Sequence, residues 1–226
     1  MDSTAYKHYV RTDVRGCITY GFTDAFEQPH DGDILHNDSG GRHFQLIFAD
    51  GSLKPPGTPL KDAWDAPLYK LVDGFAELRP PEELEVEKVT ILIHNLRVAA
   101  LEAAGRACTQ AIHGGIEVEG ARYSLTEHDQ IELMAQLSAV KDGAETVPYH
   151  ADGELCRMYT AAAFLAVAQA ATAHILYHRT YCNHINAWIR RAETAYELEA
   201  IQYGEDLPTD LAASMMALLE EMGSDG

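Results

Sequence analysis

The feature that most constrains this chain is a long stretch, residues 160–191, that contains neither glycine nor proline. Within it, apolar or small residues recur at alternating gaps of four and three, the spacing of a helix that packs along a seam. The seam positions are Phe164, Ala168, Ala171, Ile175, His178, Cys182, Ile185 and Ile189. A second stripe at gaps of seven widens the apolar face and consists of Val167, His174, Tyr181 and Trp188. The pattern predicts one core helix from Thr160 to Arg191, too polar to cross a bilayer.

Composition and charge limit the classes of partner. The chain has 226 residues, 46% hydrophobic and 23% charged, which is typical of one large or two small cores. Its formal net charge of -18 disfavours nucleic acid and anionic membranes, because phosphate groups would repel it. We therefore expect no nucleic-acid and no membrane partner, and we interpret the acidity as a solubility feature.

Cysteine usage and the N-terminus indicate where the protein is made. Cys17, Cys108, Cys156 and Cys182 are far apart and form no CxxC pair, which predicts reduced thiols without a disulfide framework or a zinc ribbon. The first ten residues, MDSTAYKHYV, lack the charged-then-apolar pattern of a signal peptide. We therefore expect synthesis and retention inside the producing cell, unless the chain leaves as part of a larger particle.

The N-terminal third alternates short apolar runs with turn residues. Residues 9–12 and 17–22 predict the two strands of a hairpin. Residues 68–72 and 75–78 predict a second hairpin, because the Asp73-Gly74 pair between them suits the positive φ angles of a two-residue turn.

The segment between these hairpins is less informative. Residues 33–36 are a candidate strand, and the Gly-rich residues 37–41 are predicted as a loop. That loop lacks the Gly-Lys-Ser or Gly-Lys-Thr ending of a phosphate-binding loop. Residues 42–48 are apolar enough to be buried, but their length does not separate a strand from a helical turn.

Composition changes abruptly at Pro80-Pro81. Two prolines followed by acids favour a helix start, and residues 81–113 are predicted to be helical. Short hairpins at residues 116–125 and 147–159, a helix from Thr126 and two closing helices complete the prediction. The predicted inward residues are Val89, Leu92, Leu96 and Ala99, then Ile131, Met134, Leu137 and Val140, then Leu211, Met215, Leu218 and Leu219.

These patterns predict an α+β protein in two parts. Residues 1–79 would form a small β-hairpin-rich attachment module, with a core thin enough to depend on a neighbour or partner. Residues 80–226 would form a mainly helical domain with long helices and two short hairpins.

A first candidate site is a group of metal-ligating side chains. His174, His178 and Cys182 follow one another at gaps of four on the long helix, and Cys156 or His150 from the preceding hairpin could complete a tetrahedron. The metalloprotease motif needs Glu directly after the first histidine, where this chain has isoleucine. We favour core residues with satisfied hydrogen bonds, so no metal, cofactor or catalytic residue is assigned.

The other candidates are a thiol nucleophile and an aromatic surface. Cys182 with His178 would need a low thiol pKa and free amides, which the middle of a helix does not supply. The GxSxG, HExxH and dinucleotide motifs do not occur. Tyr177, Tyr181 and Trp188 are candidate contact residues, although aromatic residues at helical spacing more often belong to a core.

Three C-terminal strings resemble a known family. YSLTEHDQIELM (123–134), VPYHADGELCRMYTAAAF (147–164) and HILYHRTYCNHINAWI (174–189) are similar to a domain of tail proteins of phages and prophages of Gram-positive bacteria. YVRTDVRGCITYGF and LYKLVDGFAELR resemble the small β module that often precedes it.

The resemblance implies a non-enzymatic virion protein that attaches to a tail-fibre or baseplate protein after synthesis in the host. Two alternatives stay open: a chaperone of fibre assembly, and a metal- or thiol-dependent enzyme using His174, His178 and Cys182. The seam can be satisfied within one chain or between chains, so a homo-oligomer also stays open.

Overall fold

The computed structural model describes residues 5–224, with side chains as far as residue 221. The chain divides into two compact units, unit 1 (Met1–Leu92) and unit 2 (Ile93–Gly226). The predicted α+β class is confirmed, since small antiparallel sheets come first and a mainly helical region follows.

From residue 5 onward, unit 1 contains five strands and the start of a helix. The strands are β1 (Tyr6–Thr12), β2 (Ile18–Thr23), β3 (Ile34–Gly40), β4 (Tyr69–Val72) and β5 (Phe75–Leu78). Strands β1 to β3 form an antiparallel sheet in the order β2-β1-β3, and β4 and β5 form a separate hairpin. Both hairpins predicted for this part of the chain are therefore present.

Strand β3 is longer than predicted. It continues through residues 37–40, where the sequence predicted a loop, because those residues pair with β1 at Tyr6↔Gly40 and His8↔Asn37. Two register shifts accompany this pairing. A β carbon at Gly40 would collide with the ring of His8, so glycine permits the strand to lie here. The loop prediction for residues 37–40 is wrong, since local composition does not reveal pairing with a distant strand.

The core of unit 1 lies between the sheet and the segments that follow it. Its buried members are Val10, Ile18, Leu46, Tyr69 and Ala76. Residues 42–48, left open by the sequence, form no regular element, although an isolated bridge joins Ile47 to Leu53.

Helix α1 (Pro81–His113) contains the division between the units, whereas composition placed a boundary at Pro80-Pro81. Its first turns belong to unit 1 because their carboxylates pair with basic residues there. Glu87 lies 2.7 Å from Arg15 and 2.8 Å from Arg79, and Glu83 lies 2.7 Å from Lys70. Of the residues predicted to point inward on α1, Leu96 is half-buried, but Val89, Leu92 and Ala99 are exposed.

Unit 2 contains the remaining elements. They are β6 (Ile116–Val118), β7 (Ala121–Tyr123), α2 (Glu127–Lys141), β8 (Thr146–Tyr149), β9 (Arg157–Thr160), α3 (Ala161–Arg191), α4 (Ala195–Ala200) and α5 (Thr209–Ser224). The turn between β6 and β7 has positive φ at Glu119 and Gly120. Thr126 and Asp129 form a capping box at the start of α2, where the sequence predicts a helix start. The two hairpins and the long helix of this part are confirmed.

Helix α3 contributes to two buried cores of unit 2. Its first half packs with Leu125, Leu133 and Tyr149, and its second half packs with Leu198 and Met215. The seam is buried at both ends, at Phe164, Ala168, Ala171, Ile185 and Ile189. In the middle, Ile175, His178 and Cys182 are only half-buried.

Helix α3 also has the length and hydropathy of a membrane-crossing helix. One 18-residue window reaches a mean hydropathy of 1.2 with at most two charged residues. The prediction that this stretch is too polar to cross a bilayer is therefore wrong by composition. In the structure α3 packs against α2, α5, β6, β8 and β9 as a core helix of unit 2.

Candidate interaction surface

The two histidines of α3 that were candidate metal ligands are hydrogen-bonded to other groups of the protein. A ring nitrogen of His174 (Nε2) lies 3.0 Å from the carbonyl oxygen of Ala111, and Nδ1 of His178 lies 3.0 Å from the hydroxyl of Tyr203. The two imidazoles meet edge to face, with centroids 4.5 Å apart. Burial, and then the neighbouring His174, lower the pKa of His178. Cys156 is exposed in the connection between β8 and β9.

The environment of Cys182 favours the thiol over the thiolate. Burial, followed by a hydrogen bond with Cys108, raises the pKa of Cys182 to about 11. Asn186 donates to its sulfur at 3.7 Å. A thiolate is the form that a nucleophile or metal ligand requires. Across the residues described, no group of three or more His, Cys, Asp or Glu side chains is placed to hold a metal ion.

The three candidate aromatic residues have different surroundings. Tyr177 is 48% exposed, whereas Tyr181 is 7% exposed. The Tyr181 hydroxyl donates to the carbonyl of Glu205 at 2.6 Å and accepts the amide of Gly204 at 3.0 Å. Trp188 is partly buried against the second core. Tyr177 is thus the candidate that presents a large aromatic area to solvent.

Tyr177 borders a groove between three helices of unit 2. The groove has a volume of about 900 Å³ and is lined mainly by α3, with contributions from α2 and α5. Its lining residues are Leu137, Lys141, Leu165, Ala168, Gln169, Thr172, Ala173, Leu176, Tyr177 and Leu219. Lys141 is the charged member of this set, so an apolar, otherwise neutral groove interrupts the surface of a strongly acidic chain.

Local sequence explains how the groove is formed. Two alanines of α3, Ala168 and Ala173, are among the lining residues, and their small side chains leave space beside the helix. An ion pair between Arg191 and Asp210, 2.6 Å long, joins the end of α3 to the start of α5. The capping box fixes the first turn of α2.

Apolar residues next to the groove are exposed as well. Ile131 and Met134 on α2 and Met216 and Leu218 on α5 are all exposed, and Leu133 is the buried residue of α2. The prediction that Ile131, Met134 and Leu218 point inward is wrong. Side chains three or four positions apart share a helix face, so Met134 and Met216 lie on the same sides of their helices as groove residues 137 and 219.

The two apolar stripes of α3 do not predict most of the groove residues. The stripes consist mainly of residues that pack inside unit 2. A signal was nevertheless present, because Leu165, Gln169, Thr172 and Leu176 repeat the same alternating gaps one position away from the seam. Two leucines outside both stripes indicate a further apolar face.

Unit 1 contains a cleft of about 800 Å³ with a different character. Its lining includes Arg15, Lys70, Arg79, Glu83 and Glu87. These charges already pair with one another at 2.7 to 3.5 Å. We interpret this cleft as an ion-pair network that stabilises unit 1.

Comparison with known proteins gives a family match in unit 2. Residues 95–203 match the model of a domain of unknown function, DUF4376. The matched segment covers the second half of α1 through α4 and contains much of the groove. No curated protein and no solved structure gives a match.

Proposed function

We propose that this chain is a non-enzymatic component of a phage-type tail, attached to a tail-fibre or baseplate protein through the groove of unit 2. The observation that carries the proposal is the groove itself, an apolar concave surface with further exposed apolar residues beside it. Apolar patches that lack a covering element commonly mark protein interaction sites. The tail context rests on the similarity of the C-terminal strings to phage tail proteins.

Charge indicates what kind of segment fits. The lining is apolar apart from Lys141 and a few neutral polar groups, while the chain carries a net charge of -18. An amphipathic helix of the fibre or baseplate protein would place its apolar face against Leu165 and Leu176, with a carboxylate beside Lys141. Tyr177 would contribute the rigid aromatic contact typical of binding hot spots.

Particle composition tests the biological role. Purified particles analysed by quantitative mass spectrometry should contain this chain in a fixed ratio to the fibre or baseplate protein. Its absence from finished particles, with retention in assembly intermediates, would instead support a chaperone of fibre assembly.

A point substitution tests the groove. Tyr177→Ala should weaken binding to the purified fibre or baseplate protein about tenfold to thirtyfold, because it removes an exposed aromatic contact. The measurement is isothermal titration calorimetry. Tyr196→Ala is the matched control, since Tyr196 is an exposed tyrosine on α4 that is not part of the groove lining. Equal affinities for wild type and Tyr177→Ala would contradict the role of the groove.

A further inference from the structure

Unit 1 buries two histidine side chains next to each other. His8 on β1 is 0% exposed, and His36 on β3 is 7% exposed. The ring of Phe44 packs against both, with centroid distances of 5.7 Å to His8 and 6.2 Å to His36. Buried imidazoles need hydrogen-bond partners, and both rings find them in backbone groups.

His8 joins β1 to the segment that follows β3. Its Nε2 lies 2.8 Å from the carbonyl oxygen of Gly41 and must donate to it. Its Nδ1 accepts the amide N–H of Gln45 at 3.3 Å. The same nitrogen lies 3.5 Å from the carbonyl oxygen of Gln45, so His8 has a backbone partner at Nδ1 whether that nitrogen accepts or donates.

His36 bonds a backbone group at each ring nitrogen. Its Nδ1 donates to the carbonyl of Gly74 at 3.0 Å, and its Nε2 accepts the amide N–H of Ile47 at 2.9 Å. An imidazolium has two N–H donors and no acceptor. Protonation of His36 therefore breaks its bond with the Ile47 amide and leaves two buried N–H groups facing each other.

The surroundings do not favour a charged imidazole. The groups facing His36 are His8 from β1, Ile47 N–H and the Phe44 ring from residues 41–48, and the Gly74 carbonyl from the β4–β5 turn. Those facing His8 are the Gly41 carbonyl, the Gln45 amide, Phe44 and His36. None of these groups is a carboxylate. Burial lowers the pKa of His36, with His8 acting in the same direction and the Gly74 bond opposing it.

We propose that His36 is an acid-sensitive latch for residues 41–48. Near neutral pH its neutral ring holds this segment at Ile47, and the β4–β5 turn at Gly74, against the sheet. Protonation releases the segment and exposes the apolar side chains of Phe44, Leu46 and Phe48, which pack in the core of unit 1. The latch concerns unit 1 alone and is independent of the groove and of the proposed attachment.

The direction and size of the effect follow from proton linkage. An unfolded or released histidine has a pKa of about 6.5, so it binds protons below that pH while the latched form does not. Closure is therefore complete above about pH 6.5 and weakens as the pH falls. Protonation of the released His36 therefore raises the opening equilibrium constant by up to about tenfold between pH 7.5 and 5.5.

Nitrogen NMR of the full chain tests the premise without any substitution. With ¹⁵N-labelled histidine, long-range correlation spectra at pH 7.5 should show His36 as the neutral Nδ1–H tautomer. An imidazolium or the Nε2–H tautomer at His36 would overturn the proposal.

Hydrogen exchange followed by mass spectrometry tests the consequence. After correction for intrinsic exchange rates, protection of residues 41–48 should fall by up to about tenfold from pH 7.5 to 5.5 in the wild type. The variant His36→Asn keeps an amide donor near the Gly74 carbonyl and should lose this pH dependence. His30→Gln changes an exposed histidine of the same unit and should behave as wild type. Constant wild-type protection, or an unchanged pH dependence in His36→Asn, would overturn the latch, and the NMR result decides if that variant does not fold.

Discussion

Gly40, the last residue of β3, and Gly41, which follows it, have different surroundings. A β carbon on Gly40 would overlap the ring of His8, whereas one on Gly41 would meet no atom within 4 Å. His8 cannot move aside easily, because it is fully buried and bonded at both ring nitrogens. Neither glycine has a positive φ, so the difference between them is steric.

This difference gives a residue-scale prediction. Gly40→Ala should lower the free energy of unfolding of unit 1 by about 1–3 kcal/mol, as expected for overpacking. Gly41→Ala, the matched control, should change it by less than about 1 kcal/mol. Urea unfolding followed by Trp64 fluorescence in a Trp188→Phe background reports on unit 1, since each unit contains one of the two tryptophans. Equal stability of the two alanine variants would contradict the steric explanation.

The candidate residues of α3 show how far side-chain identity could predict the site. The sequence placed Tyr177, Tyr181 and Trp188 in one group, but only the fold separates them by exposure. Tyr181 is buried because its hydroxyl finds two backbone partners in the segment after α4. Those partners are more than 20 positions away in sequence, and periodicity along one helix contains no information about them.

At the scale of elements, the first turns of α1 depend on a shared carboxylate. Glu87 accepts hydrogen bonds from both Arg15 and Arg79, and the Arg79 side chain is 4% exposed. Arg79 also donates to the carbonyl of Pro67 at 2.8 Å. Removing one partner of a buried ion pair leaves the other charge uncompensated, which is more costly than losing an exposed pair.

Glu87→Gln should therefore lower the free energy of unfolding of unit 1 by about 3 kcal/mol at neutral pH. Hydrogen bonds from Arg15, and then from Arg79, lower the pKa of Glu87 against the opposing effect of burial. The carboxylate contribution is thus complete above about pH 4.3 and is lost as the pH falls through the folded pKa. Urea titrations at several pH values measure both effects. Glu82→Gln serves as the control, because Glu82 is exposed on the same helix, and an equal loss in both variants would refute the assignment.

The elements most accurately predicted are those specified by a few neighbouring residues. Asp73-Gly74 and Glu119-Gly120 have the positive φ angles that their turns require, and Thr126 caps α2. The exposed apolar residues of α1 and α2 have the same spacing as buried ones, so the sequence pattern wrongly predicts them in the core. Which face of a helix is covered depends on elements elsewhere in the chain, and the pattern along one helix therefore does not predict the groove.

At the scale of the whole molecule, carboxylates outnumber basic groups. The chain has 35 acidic and 17 basic residues and therefore a formal net charge of -18. Their mutual repulsion opposes compaction and is weakened by dissolved ions. Surface ion pairs, which dissolved ions also weaken, contribute at most about 1 kcal/mol each.

Raising NaCl from about 0.02 M to 0.3 M should therefore increase the melting temperature by a few degrees. Differential scanning calorimetry gives the measurement, and KCl at the same ionic strength controls for an effect specific to sodium. A melting temperature that decreases steadily with salt would show that ion pairs outweigh the general repulsion.

The junction of β9 and α3 has no intervening linker. Thr160 is both the final residue of the strand and the N-cap of the helix, where its hydroxyl accepts the amide of Ala163 at 3.3 Å. Successive helix positions are rotated by about 100°. One residue inserted at this junction would rotate every later side chain of α3 by about 100° and out of its present contacts. Insertions and deletions among related chains should accumulate instead in the exposed connection between β8 and β9, where added length leaves the helix in phase.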